Sequence, residues 1–165
     1  MLTIGEMLFR LGAAIVFGAL IGLEREFVAH KEAGIRTDIM VAAGAAIFSI
    51  AGLSLPYLVA LSPANLTEMI SLNGGYLGVI SNVVIGIGFL GAGIIVKHGT
   101  HVRGLTTAAT VWAVAAVGIL CGIGLWEFAG ISAVILTALL FILQRLDIYR
   151  FTGAPTSDDD DEDGR

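Results

Sequence analysis

Charged residues are crowded into one short segment, residues 23–38, which reads LEREFVAHKEAGIRTD and lies between two long apolar runs. Glu24 and Arg25 close the first apolar run, and Arg36 stands just before the second. The sequence leaves two interpretations of these charges open. They can pair with one another and join the ends of two helices, or they can form a surface that docks a partner or binds a ligand.

A second group of polar residues is expected at the same depth. Thr37 or Asp38 can cap the second helix, and in the stretch RGLTTAATVW (103–112) Thr106 or Thr107 can cap a later one. All of these positions fall at one boundary of the apolar runs. The sequence therefore predicts a functional polar cluster that consists of Glu24, Arg25, Arg36, Thr37, Asp38, Arg103, Thr106 and Thr107.

The apolar runs lack the residue sets that carry catalysis or hold metals. No His lies within them, and paired carboxylates, Ser–Lys sets and Cys–His sets do not occur there at helical spacing. The single cysteine, Cys121, excludes an internal disulfide and a zinc site with several cysteine ligands. Mg²⁺ favours an octahedron of oxygens with one or two carboxylates, yet Glu6 is the only acid inside a predicted span. We therefore predict no catalytic residue, no metal site and no cofactor.

The elements that position these residues must be membrane helices. The chain has 165 residues, of which 56% are hydrophobic and 14% are charged, and its mean hydropathy is +0.90. A soluble domain carries about 25% charged residues, so this composition excludes the soluble globular and disordered classes. The predicted fold class is all-α, a polytopic membrane protein with five transmembrane helices of about 20 residues each. The expected spans are 4–23, 39–58, 77–96, 105–124 and 128–146.

Basic residues predict which way this bundle faces. The segments 24–38, 97–104 and 145–150 together carry seven Lys and Arg, whereas the connections 59–76 and 125–127 carry none. Basic loops tend to stay in the cytoplasm, so we expect the N-terminus outside and the C-terminus in the cytosol. The expected location is a bacterial or archaeal plasma (inner) membrane, and the lipid bilayer is then the first partner.

The net charge of −5 arises at the end of the chain, where residues 158–163 read DDDDED. The remainder is close to electrically balanced, so nothing predicts binding to nucleic acid. Residues 151–165 have no apolar face to bury. We expect a transmembrane domain over residues 1–150, followed by a disordered acidic cytosolic tail over 151–165.

Small residues recur at helical spacing and predict close packing between helices. Glu6 and Arg10 begin one such ridge and are placed for an ion pair, which either lines a pathway or snorkels near the membrane surface.

Asn82 either makes an interhelical hydrogen bond or contacts an ion or solute. The glycines after it let helices touch, or permit a broken helix. The expected core joins spans one, three and four. The predicted packing residues are Gly18, Gly22, Gly78, Asn82, Gly86, Gly88, Gly91, Gly93 and Gly104.

Four stretches resemble the MgtC/SapB family of bacterial inner-membrane proteins: GALIGLERE (18–26), AGIRTD (33–38), GIGFLGAGIIVK (86–97) and RGLTTAATVWAVAAVGI (103–119). The resemblance covers roughly residues 5–150 and implies five membrane helices with a cytosolic C-terminus. Longer members add a folded cytosolic domain, so this chain is expected to be a short form. The residues that the resemblance singles out are Glu24, Arg25, Arg36, Thr37, Gly91, Gly93, Gly104, Thr106 and Thr107.

The resemblance also implies a field of function. Members are linked to growth at low magnesium and to survival inside macrophages, and one is described as restraining the F-type ATP synthase. Our first hypothesis is therefore a non-enzymatic regulator in magnesium homeostasis or membrane energetics. It would act through a membrane protein partner, with the ATP synthase as the partner that the resemblance suggests. The glycine ridges are also compatible with a homodimer. The alternative is a small channel or transporter for magnesium or another cation, and an intramembrane enzyme is the least favoured.

Overall fold

The protein is described here by a computed structural model, which covers residues 2–27, 34–59 and 75–145. The tail predicted over residues 151–165 lies outside these ranges. Five helices occupy the described residues, and each is long and apolar enough to cross a membrane. This confirms the predicted all-α class with five spans, while the orientation in the membrane stays a prediction. The helices are α1 (Ile4–Phe27), α2 (Ile35–Val59), α3 (Gly75–Ile94), α4 (Leu105–Ile123) and α5 (Trp126–Arg145).

The first two helices are longer at their facing ends than hydropathy predicts. α1 continues past the expected end at residue 23, and α2 begins at Ile35 rather than at residue 39. The start of α2 is capped from the neighbouring helix, because the backbone N–H of Ile35 donates to the Oε2 atom of Glu26 at 3.1 Å. Thr37 and Asp38 consequently lie inside the first turn of α2, and the prediction that one of them caps the helix is wrong.

The connection between α3 and α4 is a small β-hairpin, where the sequence predicted a loop. Strands β1 (Val96–His98) and β2 (His101–Arg103) pair antiparallel around a turn at residues 99–100. The residue before α4 is Gly104, whose φ of 86° is left-handed, and no side chain caps the helix there. The caps predicted at Thr106 and Thr107 are therefore absent, because both residues already belong to α4.

The core is built around α2, and this corrects the expectation that spans one, three and four would form it. A Cβ atom added to Gly18 of α1 would lie 2.8 Å from the Cβ of Ala42, and one added to Gly122 of α4 would lie 2.6 Å from the Cβ of Ser49. The glycine ridges of α1 and α4 thus both pack against small residues of α2. The buried core residues are Ala14, Ile21, Ala42, Ala46, Val114, Val117, Cys121, Ala129 and Ala133.

The α3 helix lies at the edge of this core. Its residue Gly91 is buried and packs on Ala108 of α4 at ordinary van der Waals distance, but most of its side chains are exposed. Phe89, for example, is 85% exposed. In a membrane, such a helix contacts lipid or another protein along most of its surface.

The charged residues at the start of α1 do not form the expected ion pair. The carboxylate of Glu6 accepts hydrogen bonds from the backbone N–H and the hydroxyl of Thr3, which makes a capping box at the start of α1. Arg10 instead donates to the backbone carbonyl of Gly122 at 2.9 Å. Arg10 therefore ties α1 to the last turn of α4, where a cation also interacts favourably with the helix dipole.

Candidate functional site

The polar residues that the structure brings together are Glu24 and Arg25 of α1 and Asp38 of α2, which we call the buried acid–base cluster. The exposed fractions of their side chains are only 7%, 3% and 0%. Arg25 donates from Nη1 to Oδ1 of Asp38 at 3.5 Å, and this is the ion pair found within the described residues. The Arg25–Asp38 pair thus joins α1 and α2 inside the bundle.

Close approach of α1 and α2 creates this burial. A Cβ atom added to Gly22 would come within 2.6 Å of the Cα of Ile35, and one added to Gly18 within 2.9 Å of the Asp38 carbonyl oxygen. The backbones of α1 and α2 therefore approach closely at Gly22 and Gly18, which lie about one and two turns before Glu26 in α1. Arg25 and Asp38 are left in a space too narrow for solvent.

Several atoms of the cluster are buried without a hydrogen-bond partner in the described structure. They are both carboxylate oxygens of Glu24, Nη2 of Arg25 and Oδ2 of Asp38. A buried charged group without partners costs free energy, typically several kcal/mol per ion. Such a cluster is therefore a place where a further ligand or a neighbouring molecule can be stabilised.

Arg36 does not join the cluster, although the sequence placed it there. Its side chain is exposed, and the described residues offer it no ion pair. Residues two apart on a helix do not face the same way. Since Asp38 faces α1, Arg36 must face away, and Thr37 between them is half-buried.

The remaining predicted members also stay apart from the cluster. Arg103 is exposed on strand β2, and Thr106 is exposed at the start of α4. Thr107 is buried, but no hydrogen bond links it to Glu24, Arg25 or Asp38 in the part of the chain that is described. Of the eight predicted residues, the structure therefore places three in the cluster, Glu24, Arg25 and Asp38, while Arg103 belongs to the separate hairpin.

A second feature was not anticipated, and it lies on α3. A Cβ atom added to Gly86, Gly88 or Gly93 would meet nothing within 4 Å among the described residues, so these three glycines do not make the helix contacts that were predicted there. Asn82 is exposed as well, and so is Ser81. Asn82, Gly86 and Gly93 share one side of the helix, which we call the open face of α3, whereas Ser81 and Gly88 lie on another side. Gly78, in contrast, is half-buried.

Within the described residues, Asn82 therefore does not make the interhelical hydrogen bond that was expected. Hydropathy could not reveal this, because the side of a membrane helix that faces lipid is as apolar as the side that faces other helices. The spacing of Asn82, Gly86, Phe89 and Gly93 was the available signal, since intervals of four, three and four residues define one helical face.

Neither feature resembles a metal centre. The described ranges contain no group of three or more His, Cys, Asp and Glu side chains that could hold a metal ion. The buried acid–base cluster can hold or exchange charge, and the open face of α3 can bind a complementary helix. Neither places a nucleophile beside a base.

Comparison with known proteins gives a consistent match. The family model described as "MgtC family" matches residues 11–149. Protein MgtC of Brucella abortus (strain 2308) is 43% identical over 136 residues, which is 82% of this chain and 50% of the relative. Protein MgtC of Salmonella typhi is 39% identical over 145 residues, which is 88% of this chain and 55% of the relative. The chain thus spans about half the length of the curated relatives it matches, and no solved structure matches it.

Proposed function

Because the chain belongs to the MgtC family of multi-pass membrane proteins, we propose that it is a non-enzymatic regulator that binds another membrane protein. We place it in the plasma (inner) membrane, in magnesium homeostasis or membrane energetics. The F-type ATP synthase is the partner that the family resemblance suggests. The observation that carries the proposal is the open face of α3.

An amide in the middle of a lipid-facing helix needs a partner. Asn82 is exposed on α3, and a primary amide taken into an apolar environment without a hydrogen bond costs roughly 2–7 kcal/mol. Lipid tails offer no hydrogen bond, whereas a second membrane helix can. Polar side chains of this kind hydrogen-bond between membrane helices.

The glycines beside Asn82 allow the partner to approach closely. Gly86 and Gly93 lie one and three turns further along the same face, and the space next to each is empty. Small residues at such spacing let two helix backbones come together, which increases van der Waals contact. Together, the amide and the glycines form a surface suited to a transmembrane helix of a partner.

The test uses substitutions that block the open face without disturbing the fold. Gly86→Leu has room in this chain but fills the space that the partner helix would occupy. Gly5→Leu is the matched control, because Gly5 is also exposed and has nothing within 4 Å of its added Cβ. Both variants are compared with the wild type in host cells whose own copy is deleted.

We expect both variants to be as stable in detergent as the wild type. Gly86→Leu should lose growth at low magnesium and co-purification with the F-type ATP synthase, and Gly5→Leu should keep both. Full function of Gly86→Leu would exclude the open face as the binding surface. Loss of growth without any co-purification of the synthase from the wild type would retain the surface and exclude that partner.

A cation channel or transporter is the second candidate, and the unpaired oxygens of Glu24 and Asp38 are the observation that favours it. The neighbouring interior weighs against it, because Ile21, Ala42 and Val114 belong to a packed apolar core. Flux of several cations into proteoliposomes separates the two functions. A robust flux that Glu24→Gln abolishes would favour transport.

A further inference from the structure

The β-hairpin between α3 and α4 carries two basic side chains without an acidic partner in the described structure. They are Lys97 on β1 and Arg103 on β2, and both are exposed. The sequence has no Asp or Glu between Glu68 and Glu127, so neither the hairpin nor the two flanking helices supply a carboxylate. The described residues offer neither side chain an ion pair. The hairpin is therefore a basic surface that is open to an anion.

The register of the hairpin places one cation on each of its two faces. Val96 pairs with Arg103, and Lys97 pairs with Val102. Directly paired residues point to the same face of a ladder, and successive residues point to opposite faces. Each face thus has one valine beside one cation, and the valines are 47% and 45% exposed. A hairpin that docks on a protein would gather its apolar side chains on one face, whereas this pattern suits similar surroundings on both faces.

The flanking helices place the hairpin at the level of the lipid head groups. α3 and α4 have 20 and 19 residues, which correspond to about 30 Å and 28 Å along the helix axis. The hydrocarbon core of a bilayer is about 30 Å thick, so the two helices just span it. Lys97 and Arg103 are three and two residues from the helix ends at Ile94 and Leu105, and they lie within about 10 Å of them. Their charges therefore stand in or beside the layer that contains the lipid phosphates.

The base of the hairpin is held against the helix ends. A Cβ atom added to Gly104, which joins β2 to α4, would collide with the backbone carbonyl of Ile94. The end of α3 and the start of α4 thus lie in close contact. Ile95 and Leu105 are exposed beside this contact. The hairpin therefore has an apolar base and basic strands, which is the order in which a bilayer passes from hydrocarbon to phosphate.

We propose that this hairpin binds anionic phospholipids such as phosphatidylglycerol, with the phosphates on Lys97 and Arg103 and with Val96 and Val102 at the hydrocarbon boundary. A guanidinium binds a phosphate through two parallel hydrogen bonds, and an ammonium binds it as a point charge. Phosphatidylcholine also has a phosphate, but its own quaternary ammonium balances that charge. The proposal does not depend on the open face of α3 as the surface that binds a partner protein.

The experiment measures which lipid is enriched beside the hairpin in the full chain. Cys121 is replaced by Ala, and the exposed Thr100 at the hairpin turn is replaced by Cys and labelled with bimane. The protein is reconstituted into nanodiscs with equal amounts of phosphatidylglycerol and phosphatidylcholine of the same acyl composition. Two samples differ only in which lipid carries a quenching spin label. The ratio of quenching gives the local ratio of the lipids, and a label at the exposed Leu125, beyond the far end of α4, is the reference.

The label at position 100 should report at least about a threefold excess of phosphatidylglycerol, and the label at position 125 should report the bulk ratio. Each basic residue near an anionic surface favours association by about fivefold. Salt screens such interactions, so the excess should fall as the salt concentration rises to about 1 M.

Charge variants locate the effect. Lys97→Gln with Arg103→Gln should abolish the excess and leave the Tm in detergent unchanged, because both side chains are exposed. Lys97→Arg with Arg103→Lys keeps both charges and should keep the excess. Arg36→Gln is the matched control, since Arg36 is an exposed cation in a segment, residues 23–38, that carries four acids and three basic residues. It should also keep the excess.

The position of the valines is tested separately. Val96→Ser with Val102→Ser should increase quenching of the label at position 100 by aqueous iodide, because a more polar hairpin lies less deeply in the head-group layer. Unchanged quenching by iodide would exclude insertion of the valines.

Three results would overturn the binding of anionic lipid by the hairpin. They are equal quenching by the two lipids at position 100 of the wild type, the same excess at position 125, and an excess that survives the neutral variant Lys97→Gln with Arg103→Gln. An equal loss in Arg36→Gln would assign the excess to overall charge rather than to the hairpin. An excess that appears only after removal of residues 158–163 would assign the two cations to that acidic run instead.

Discussion

Asp38 accepts the guanidinium of Arg25 through one oxygen only, with 3.5 Å between Nη1 and Oδ1, although both side chains are buried. The second oxygen of Asp38 and the second terminal nitrogen of Arg25 remain without partners in the described structure. The geometry is therefore poorer than a two-pronged guanidinium–carboxylate contact. A pair of this kind contributes little net stability as a unit, yet removing one partner leaves a buried charge uncompensated.

The ion pair should consequently show strong non-additivity. Arg25→Met alone should destabilise the protein by about 3–5 kcal/mol, because Asp38 is left buried and unpaired. The double variant Arg25→Met with Asp38→Asn should recover much of that loss. The free energy of unfolding in detergent measures both. Arg36→Met is the control and should change stability by less than ~0.5 kcal/mol, as expected for an exposed residue. Strictly additive losses for Arg25 and Asp38 would argue against the pair.

Close contact between α4 and α2 predicts opposite effects for two glycines. A Cβ atom at Gly118 would run into the backbone carbonyl of Ala42, whereas one at Gly44 meets nothing within 4 Å. Gly118→Ala should cost about 1–3 kcal/mol through overpacking. Gly44→Ala should be neutral or stabilise α2 by up to about 0.5–1 kcal/mol. Unfolding in detergent checks both, and equal effects would contradict the central position of α2.

Two glycines near the junction between the hairpin and α4 allow the cost of a left-handed backbone to be measured separately from the cost of a steric clash. Gly99 and Gly104 both have positive φ, 57° and 86°, but only at Gly104 would a Cβ meet a neighbour, the backbone carbonyl of Ile94. Gly99→Ala should cost about 1–2 kcal/mol for the left-handed backbone alone. Gly104→Ala should cost clearly more. Similar Tm losses for the two variants would show that the approach of Ile94 has no energetic consequence.

The sequence predicts an ion pair between Glu6 and Arg10, whereas the structure gives each residue a different partner, and mutations can distinguish the two. Because Glu6 bonds to Thr3 and Arg10 to the carbonyl of Gly122, their substitutions should act independently. Arg10→Leu should cost roughly 1.5–3 kcal/mol, the usual range for a hydrogen bond to a charged group. The double variant Glu6→Gln with Arg10→Leu should lose the sum of the single losses. A coupling above ~0.5 kcal/mol would restore the ion pair expected from the sequence.

The predicted orientation can be tested with single cysteines in a chain where Cys121 is replaced by Ala. Positions 36 and 103 are both exposed, and they follow one and three spans, so both are expected on the same side of the membrane. Leu125 is exposed between α4 and α5, at the opposite side. An impermeant thiol reagent added to intact cells should label position 125 and spare positions 36 and 103. The reverse pattern would invert the orientation predicted from Lys and Arg.

Hydropathy alone is enough to predict the five helices, because each requires a run of about 20 apolar residues. It does not predict where α2 begins, since that start depends on Glu26 reaching across from α1 to the N–H of Ile35. Placing Asp38 at the helix cap was the consequence of that omission. Once Asp38 lies inside the helix, its side chain can face α1. Arg36, two residues earlier, then faces away and is left out of the buried acid–base cluster.

The glycine pattern was informative about packing but not about direction. Gly18 and Gly22 contact α2, whereas Gly86 and Gly93 meet no other helix among the described residues. The same residue type at similar spacing thus serves contacts within the bundle in one helix and an open surface in another. A single sequence does not distinguish these two cases, because the surrounding lipid and the protein interior are equally apolar.

Three consecutive residues at the end of α1 contact two neighbouring helices. Glu24 lines a groove between α1 and α5, whereas Arg25 and Glu26 both contact α2, through Asp38 and through the N–H of Ile35. Successive residues of a helix are rotated by roughly 100°. The alternation of acid, base and acid therefore favours one rotation of α1 about its own axis. One residue inserted between Gly22 and Glu24 would rotate these three side chains by that angle relative to the rest of α1, and a different charge would then stand at each contact.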